Sequence, residues 1–420
     1  MKRLALLLPL LVLAAAPARA EDPATNAPLP GVAWRQADFA AELYRHAAEA
    51  SGPDENTVVS PWGAASVFAL LQTGAHGETA REIASVLQLG DGGNPAPDAV
   101  AATFEKSRAA LLRAAGKDVR IELADSLLIR PGFKPEPDFL TRAEHSFGAA
   151  VRIAENDGRG PGFPDSLLSE DPLAELAVAD SVHLKARWSE EFLKSGTSNR
   201  VFRAPGGNVE VPFLHAVRNL AELYDAPECC ALRLRYRFSP LEMLVLLPSP
   251  SNTVADVEAK LGGPWLDGLL SRKWYGKATI AMPKFDIRSE HDLKSLFSAA
   301  GMSGAFDERY ADFGGIASGI HLSAAVQKTA VSVDEEGTTA MATTSALGRP
   351  LGILRNEPRE FIADRPFLFL IRESRTGLVL FAGRIFNPAT RSTAEEKSHA
   401  ENAESAEPKP HAESAEFAEH

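Results

Sequence analysis

The chain has 420 residues, 45% of them hydrophobic and 24% charged, with a formal net charge of −12. That composition suits a soluble globular protein and leaves room for one large domain or two smaller ones. The acidity argues against a nucleic-acid surface, which needs clustered Lys and Arg.

The N-terminus reads as an export signal. Lys2 and Arg3 precede an apolar run from Leu4 to Ala16, and Ala18-Arg19-Ala20 supplies the small-residue cleavage pattern. The run is too short to span a membrane. Residues 1–20 are therefore expected to be removed, giving a secreted protein, extracellular or periplasmic, with no membrane association. Residues 21–34 are rich in Pro and Ala and read as a flexible segment. Dense, mixed patterning runs from 35 to 388.

Within that span Ser60-Pro61 predicts a helix start, a hydroxyl cap followed by proline in the first turn, with Phe68 and Leu71 on the apolar face. A second helix is expected over residues 77–90, with Ile83, Val86 and Leu87 on one side and Gly90 as its stop. A third lies around residues 138–148 and ends at Gly148. Strand patterns come next. Leu176, Val178, Val182 and Leu184 alternate onto one face, and Asp180 falls on that face among them. Val331 and Val333 alternate with polar residues, and Gln327 shares their face. Residues 367–371 and 378–383 predict a strand pair joined by the turn Ser374-Arg375-Thr376-Gly377. Helices come first and strands dominate the second half, so the class is α+β. Residues 389–420 turn to Ala, Glu, Ser and His, a disordered acidic tail with too little apolar surface to fold alone.

The two cysteines, Cys229 and Cys230, are adjacent and poorly placed to bridge each other. Fragments that spell enzyme motifs lack their context. Asp312-Phe313-Gly314 has no glycine-rich or catalytic loop to accompany it, and Gly301-Met302-Ser303-Gly304-Ala305 misses the nucleophile elbow by one position. The histidines are scattered without metal-ligand spacing. No catalytic activity, metal or cofactor is expected.

An ordered set of motifs is more specific. Asn56-Thr57-Val58-Val59-Ser60-Pro61, Gly74-Ala75-His76-Gly77-Glu78-Thr79 and His183-Leu184-Lys185-Ala186-Arg187-Trp188 come first. Pro283-Lys284-Phe285, Asp292-Leu293, Met302, Phe306 and Ala311-Asp312-Phe313 succeed them. The set ends with residues 361–369 (FIADRPFLF) and Gly383-Arg384-Ile385-Phe386-Asn387-Pro388. Over 35–388 this series resembles the serpin family. The resemblance implies a fold of three β-sheets with eight or nine helices and an exposed reactive-centre loop, here about residues 335–360. It also implies suicide inhibition of a serine protease by a monomer. The protease cuts the loop, is held as a covalent acyl-enzyme, and is displaced as the freed loop enters the central sheet.

The residues of that loop suit such an event. Strand period is two, so alternate residues share a face. After the hinge, one set is Thr338, Ala340, Ala342, Thr344, Ala346 and Gly348, all small. The other is Thr339, Met341, Thr343, Ser345, Leu347 and Arg349, which takes every bulky residue. Glu335 and Glu336 are expected to stay solvated at the pivot, and Gly337 to let the backbone turn. Spacing within the family implies a reactive bond between Leu351 and Gly352, with Arg349, Ile353 and Arg355 as alternatives. Leucine there would select chymotrypsin-, elastase- or subtilisin-like proteases. The runner-up function is a non-inhibitory relative, a binding or storage protein.

The chain also departs from the family. Residues 151–168 are rich in Gly and Pro, so the helix that covers the central sheet in the family is expected to be short or absent. Trp188 matches the breach tryptophan at the top of the sheet. In the shutter beneath it, Asp180 stands for the usual Asn, Gln327 for the usual His, and Gly63 for a serine. Asp180 is expected to pair with Gln327 and Ser60.

Overall fold

A computed structural model describes residues 35–90, 92–153, 175–338 and 357–390. In chain order the elements are α1 (Gln36–Ser51), β1 (Thr57–Val59), α2 (Pro61–Gln72), α3 (Gly77–Val86), α4 (Pro97–Ala114), β2 (Val119–Ile129), α5 (Pro137–Arg142), β3 (Ala150–Ile153), β4 (Leu176–Arg187), β5 (Ser198–Ala204), β6 (Gly207–Asp225) and β7 (Cys229–Arg235). The remainder are β8 (Leu241–Pro248), α6 (Val254–Glu258), α7 (Gly263–Leu270), β9 (Lys273–Pro283), β10 (Phe285–Asp292), α8 (Leu293–Ala299), β11 (Leu322–Val333), β12 (Gly337–Thr338), β13 (Arg359–Ile362), β14 (Phe367–Glu373) and β15 (Val379–Ile385). The signal segment, residues 21–34, the stretch read as a broken covering helix beyond Ile153 and the tail beyond Thr390 lie outside the described residues.

One sheet has six strands in the order β10-β11-β12-β4-β2-β3. The other strands run β1-β15-β14-β8-β7-β6-β9-β13, with β5 beside β6. The 19-residue β6 is long enough to serve two layers. Its C-terminal part pairs with β7 and its N-terminal part with β5, and its ladder with β9 slips between Arg218 and Ala221. Hydrogen bonding joins these nine strands continuously, and the two halves that meet in β6 and β9 are the second and third of the expected sheets.

Burial explains the elements. Every residue of α2 is buried, because PWGAASVFALLQ is apolar all round and runs through the middle of the molecule. Its cap is built as the sequence suggests, with Ser60 Oγ accepting the Gly63 N–H at 3.2 Å and Pro61 in the first turn. Phe68 of α2 stacks on Phe297 of α8 with ring centroids 3.8 Å apart. The helix expected over 77–90 stops earlier, at Val86, because Gln88 takes a left-handed φ of 57° and Leu89 turns back to bond the Ala84 carbonyl at 2.8 Å. Around 138–148 the α-helix covers only Pro137–Arg142. A wider π turn continues through Phe147 and ends at Gly148, at φ 66°.

Candidate functional site

The six-stranded sheet contains a seam. Strands β4 and β11 run parallel, paired from Leu322↔Leu176 to Thr329↔Val182. Their neighbours are antiparallel, β10 to β11 and β2 to β4. Above the last parallel pair the strands separate, and β12 fills the opening. Val333 pairs with Thr338 on one side, and Gly337↔Arg187 and Thr338↔Ala186 pair on the other. The hinge of the loop is thus already a two-residue strand inside the sheet.

A tight turn sets this up. Asp334 accepts the N–H groups of Glu336 and Gly337 on its carboxylate at 2.8 and 3.0 Å, and its own N–H donates to the Gly337 carbonyl at 3.0 Å. Gly337 has no alternative residue at this spot, because a Cβ would run into the Ala186 carbonyl. Thr338 is buried, and its hydroxyl lies 2.6 Å from that of Tyr236. Tyr236 stacks on Trp188 with centroids 4.7 Å apart. Trp188 holds the turn twice, its indole Nε1 donating to the Asp334 carbonyl at 3.0 Å and its backbone N–H to that of Glu336 at 2.9 Å.

Contrary to expectation, Glu335 and Glu336 are buried rather than solvated. The reason is charge pairing. Glu335 receives Lys284 Nζ and Thr197 Oγ1, each at 2.8 Å, and Glu336 receives Lys194 Nζ at 2.9 Å. Burial by itself raises the affinity of Glu335 for a proton. The bonds from Lys284 and Thr197 outweigh it and hold the carboxyl below its usual range.

Midway down the seam lies a polar cluster in an apolar layer. The Gln327 side chain accepts the Ser60 N–H at 2.8 Å and donates to the Ser60 carbonyl at 2.9 Å and to Asp180 Oδ2 at 2.5 Å. Asp180 and Gln327 are therefore in contact, and Ser60 joins through its backbone, its hydroxyl being engaged in the helix cap. Gly63 is small because the Asp180 carboxyl occupies the place of a Cβ. Sequence reading missed Asp125, which stands directly opposite Asp180 on β2 and accepts the Ser66 hydroxyl at 2.6 Å. Its signal was present, since Ile121, Leu123, Asp125 and Leu127 share a parity just as Asp180 does with its neighbours.

The foot of the seam is clamped as well. Glu175 Oε2 sits 2.7 Å from His321 Nδ1 and accepts the His321 N–H at 3.0 Å, while Ser323 Oγ accepts the Glu175 N–H at 2.9 Å. The serine is 3.4 Å from the imidazole and already occupied by the backbone. The trio ties the starts of β4 and β11 together. At the far end of the loop, β13 runs parallel to β9, and Arg359 grips Asp225 with two bonds of 2.8 Å. The loop is anchored on two different sheets.

Residues Ala340, Ala342, Thr344, Arg349, Leu351, Gly352, Ile353 and Arg355 lie outside the described residues. Behind Trp188 a cleft of about 360 Å³ opens, but the guanidinium groups on its walls are paired: Arg218 with Glu190, Arg233 with Glu222, and Arg235 with Glu222. Cys229 and Cys230 are free thiols, and burial pushes both up to about 12, so neither is a nucleophile at neutral pH. Among the described residues no helix is long and apolar enough to cross a membrane.

The model of the family described as serpin (serine protease inhibitor) matches residues 35–157 and 165–388. Human glia-derived nexin is 30% identical over 371 residues, spanning 80% of this chain and 89% of its own. The structure of native protease nexin-1 with heparin superposes with a TM-score of 0.71 at 26% identity, covering 87% of this chain and 100% of that one. Thyroxine-binding globulin in complex with thyroxine gives 0.72 at 25%, covering 84% and 98%. With the family model matched along nearly the whole described chain, and a seamed sheet bearing a loop anchored at both ends, the protein belongs to the serpin family and has the serpin fold.

Proposed function

We propose that this chain is a secreted, monomeric suicide-substrate inhibitor of a serine protease of the chymotrypsin, elastase or subtilisin type. The protease serine attacks the Leu351 carbonyl, the bond to Gly352 breaks, and the new amine leaves with a proton from the protease histidine. The enzyme is left as an ester on Leu351. The freed strand then runs down the seam before water can hydrolyse that ester. Arg349, Ile353 and Arg355 remain the alternative cleavage positions.

The observation that carries this reading is the register of β12. Rungs are already laid on both sides, Gly337 and Thr338 against β4 and Thr338 against β11. Continuing both registers downwards assigns the same slots from either strand. Ala340 falls between Leu184 and Val331, Ala342 between Val182 and Thr329, and Thr344 between Asp180 and Gln327. Every inward slot then receives a small side chain, and Thr344, the hydroxyl-bearing one, lands at the polar cluster. There it can donate to Asp180 and accept from Gln327 in place of the bond those two lose. Gly348 falls opposite Leu176 at the foot of β4, so a cut after Leu351 frees a strand long enough for the whole seam.

The test is incubation with a panel of secreted serine proteases. A complex that survives boiling in denaturant supports trapping. Cleavage without such a complex, and without a large rise in melting temperature, would instead favour a binding or storage role.

A further inference from the structure

Asp125 and Asp180 face each other in the middle of the six-stranded sheet, 4% and 2% exposed. Two acids side by side in an apolar layer are disfavoured as a doubly charged pair. The donors present do not remove the problem. Ser66 serves Asp125 Oδ2 and Gln327 serves Asp180 Oδ2, while the buried Oδ1 atom of each carboxyl receives no donor from any of the described residues. A proton held between the two carboxyls supplies what both lack.

The surroundings fix where it sits. From α2 and its cap come the neutral Ser60, Gly63 and Ser66. From α4, Arg108 acts electrostatically on Asp125. From β11 comes neutral Gln327. Beyond it on β10, His291 pairs with Gln327 in register and bonds the Val58 carbonyl at 2.8 Å, and its burial favours the neutral ring. Asp125 thus has the cation and the hydroxyl, and Asp180 has an amide donor and a like charge.

We propose that Asp125 is a positioning residue for the closed seam: it accepts a proton carried by Asp180, and that shared proton keeps Asp180 against Gln327 until the loop strand arrives. Loss of the proton leaves two adjacent carboxylates beside the seam and weakens the closed sheet, so opening is pH-dependent. The inference extends the proposed mechanism and does not need it to be true, because the proton belongs to the uncleaved fold.

Burial first, then the charge and hydrogen bond of Asp125, place the Asp180 carboxyl well above its ordinary range. For an acid whose folded affinity for protons is raised, the folded state binds more protons than the unfolded state throughout the window between the two. Stability therefore falls as pH rises through that window and levels off above it. One full proton of difference changes the folding constant about tenfold per pH unit.

The full-length protein, Asp180→Asn and Asp125→Asn would be melted across pH 5 to 9, an interval chosen from about one unit above the ordinary carboxylate range. The native chain should lose stability with rising pH relative to Asp180→Asn, whose amide needs no proton to bond Asp125. Parallel profiles would overturn the proposal. Infrared spectra at neutral pH give a second readout that does not depend on either variant's stability. The native chain should show the C=O stretch of a buried protonated carboxyl, and its absence would equally sink the idea. Loop insertion without protease, followed on native gels, should quicken with pH in the native chain and not in Asp180→Asn.

Discussion

Gly337 meets the Ala186 carbonyl with no room for a Cβ, so any other side chain must push the hinge out of the sheet. Gly337→Val is expected to destabilise the uncleaved chain by about 1–3 kcal/mol, the usual range for overpacking. The indole environment of Trp188 should change with it, which fluorescence reads directly. Glu335 carries the opposite pH sign from Asp180. Its folded affinity for protons is lowered, so its contribution is present above the ordinary carboxylate range and is lost as pH falls through that range. Glu335→Gln should therefore flatten the acid limb of the melting profile and leave the alkaline limb unchanged. A melting series below pH 6, about two units above the ordinary range, checks it. A Tyr236→Phe change removes one buried hydrogen bond to Thr338, about 0.5–1.5 kcal/mol, and leaves the stack on Trp188 intact.

At the scale of elements, the proposed insertion makes parity the deciding variable. Thr344→Arg puts a long cation in the slot between Asp180 and Gln327, whereas Met341→Arg lies on the outward set. The first should turn the chain into a substrate, with at least a tenfold loss of stable complex on a denaturing gel. The second should leave complex formation near the native level. Equal behaviour of the two would overturn the register assigned to the loop. The parity of β4 and β11 was legible in the sequence because strands write it locally, residue by residue. The same pattern exposed Asp180 and Gln327 and also held Asp125, although no local pattern says that two odd residues on separate strands will meet. Lys194, Lys284 and Thr197 left no trace for a related reason. Their contacts with Glu335 and Glu336 span 51 to 142 positions, so the pair of acids looked solvated until the fold supplied cations. The early end of α3 was likewise hidden, since nothing about Gln88 by type announces a left-handed turn.

For the whole molecule, the seam is clamped at three levels: by the buried hinge at the top, by the Asp125–Asp180–Gln327 cluster in the middle, and by Glu175 with His321 at the foot. The proposed insertion breaks the contacts that cross β4 and β11 and replaces one parallel ladder with two antiparallel ones, the more stable arrangement per residue. Cleavage in the loop should accordingly raise the melting temperature sharply, and calorimetry before and after limited proteolysis measures it.

The two rungs of β12 have a kinetic consequence. Starting a strand inside a sheet ordinarily means bringing distant chain segments together against loop-closure entropy before any ladder bond compensates. Here that nucleation is complete in the resting molecule. In the proposed mechanism a cut in the loop leaves only propagation, one rung after another in a register already set, so the race against hydrolysis of the acyl bond would begin with its slowest entropic step behind it.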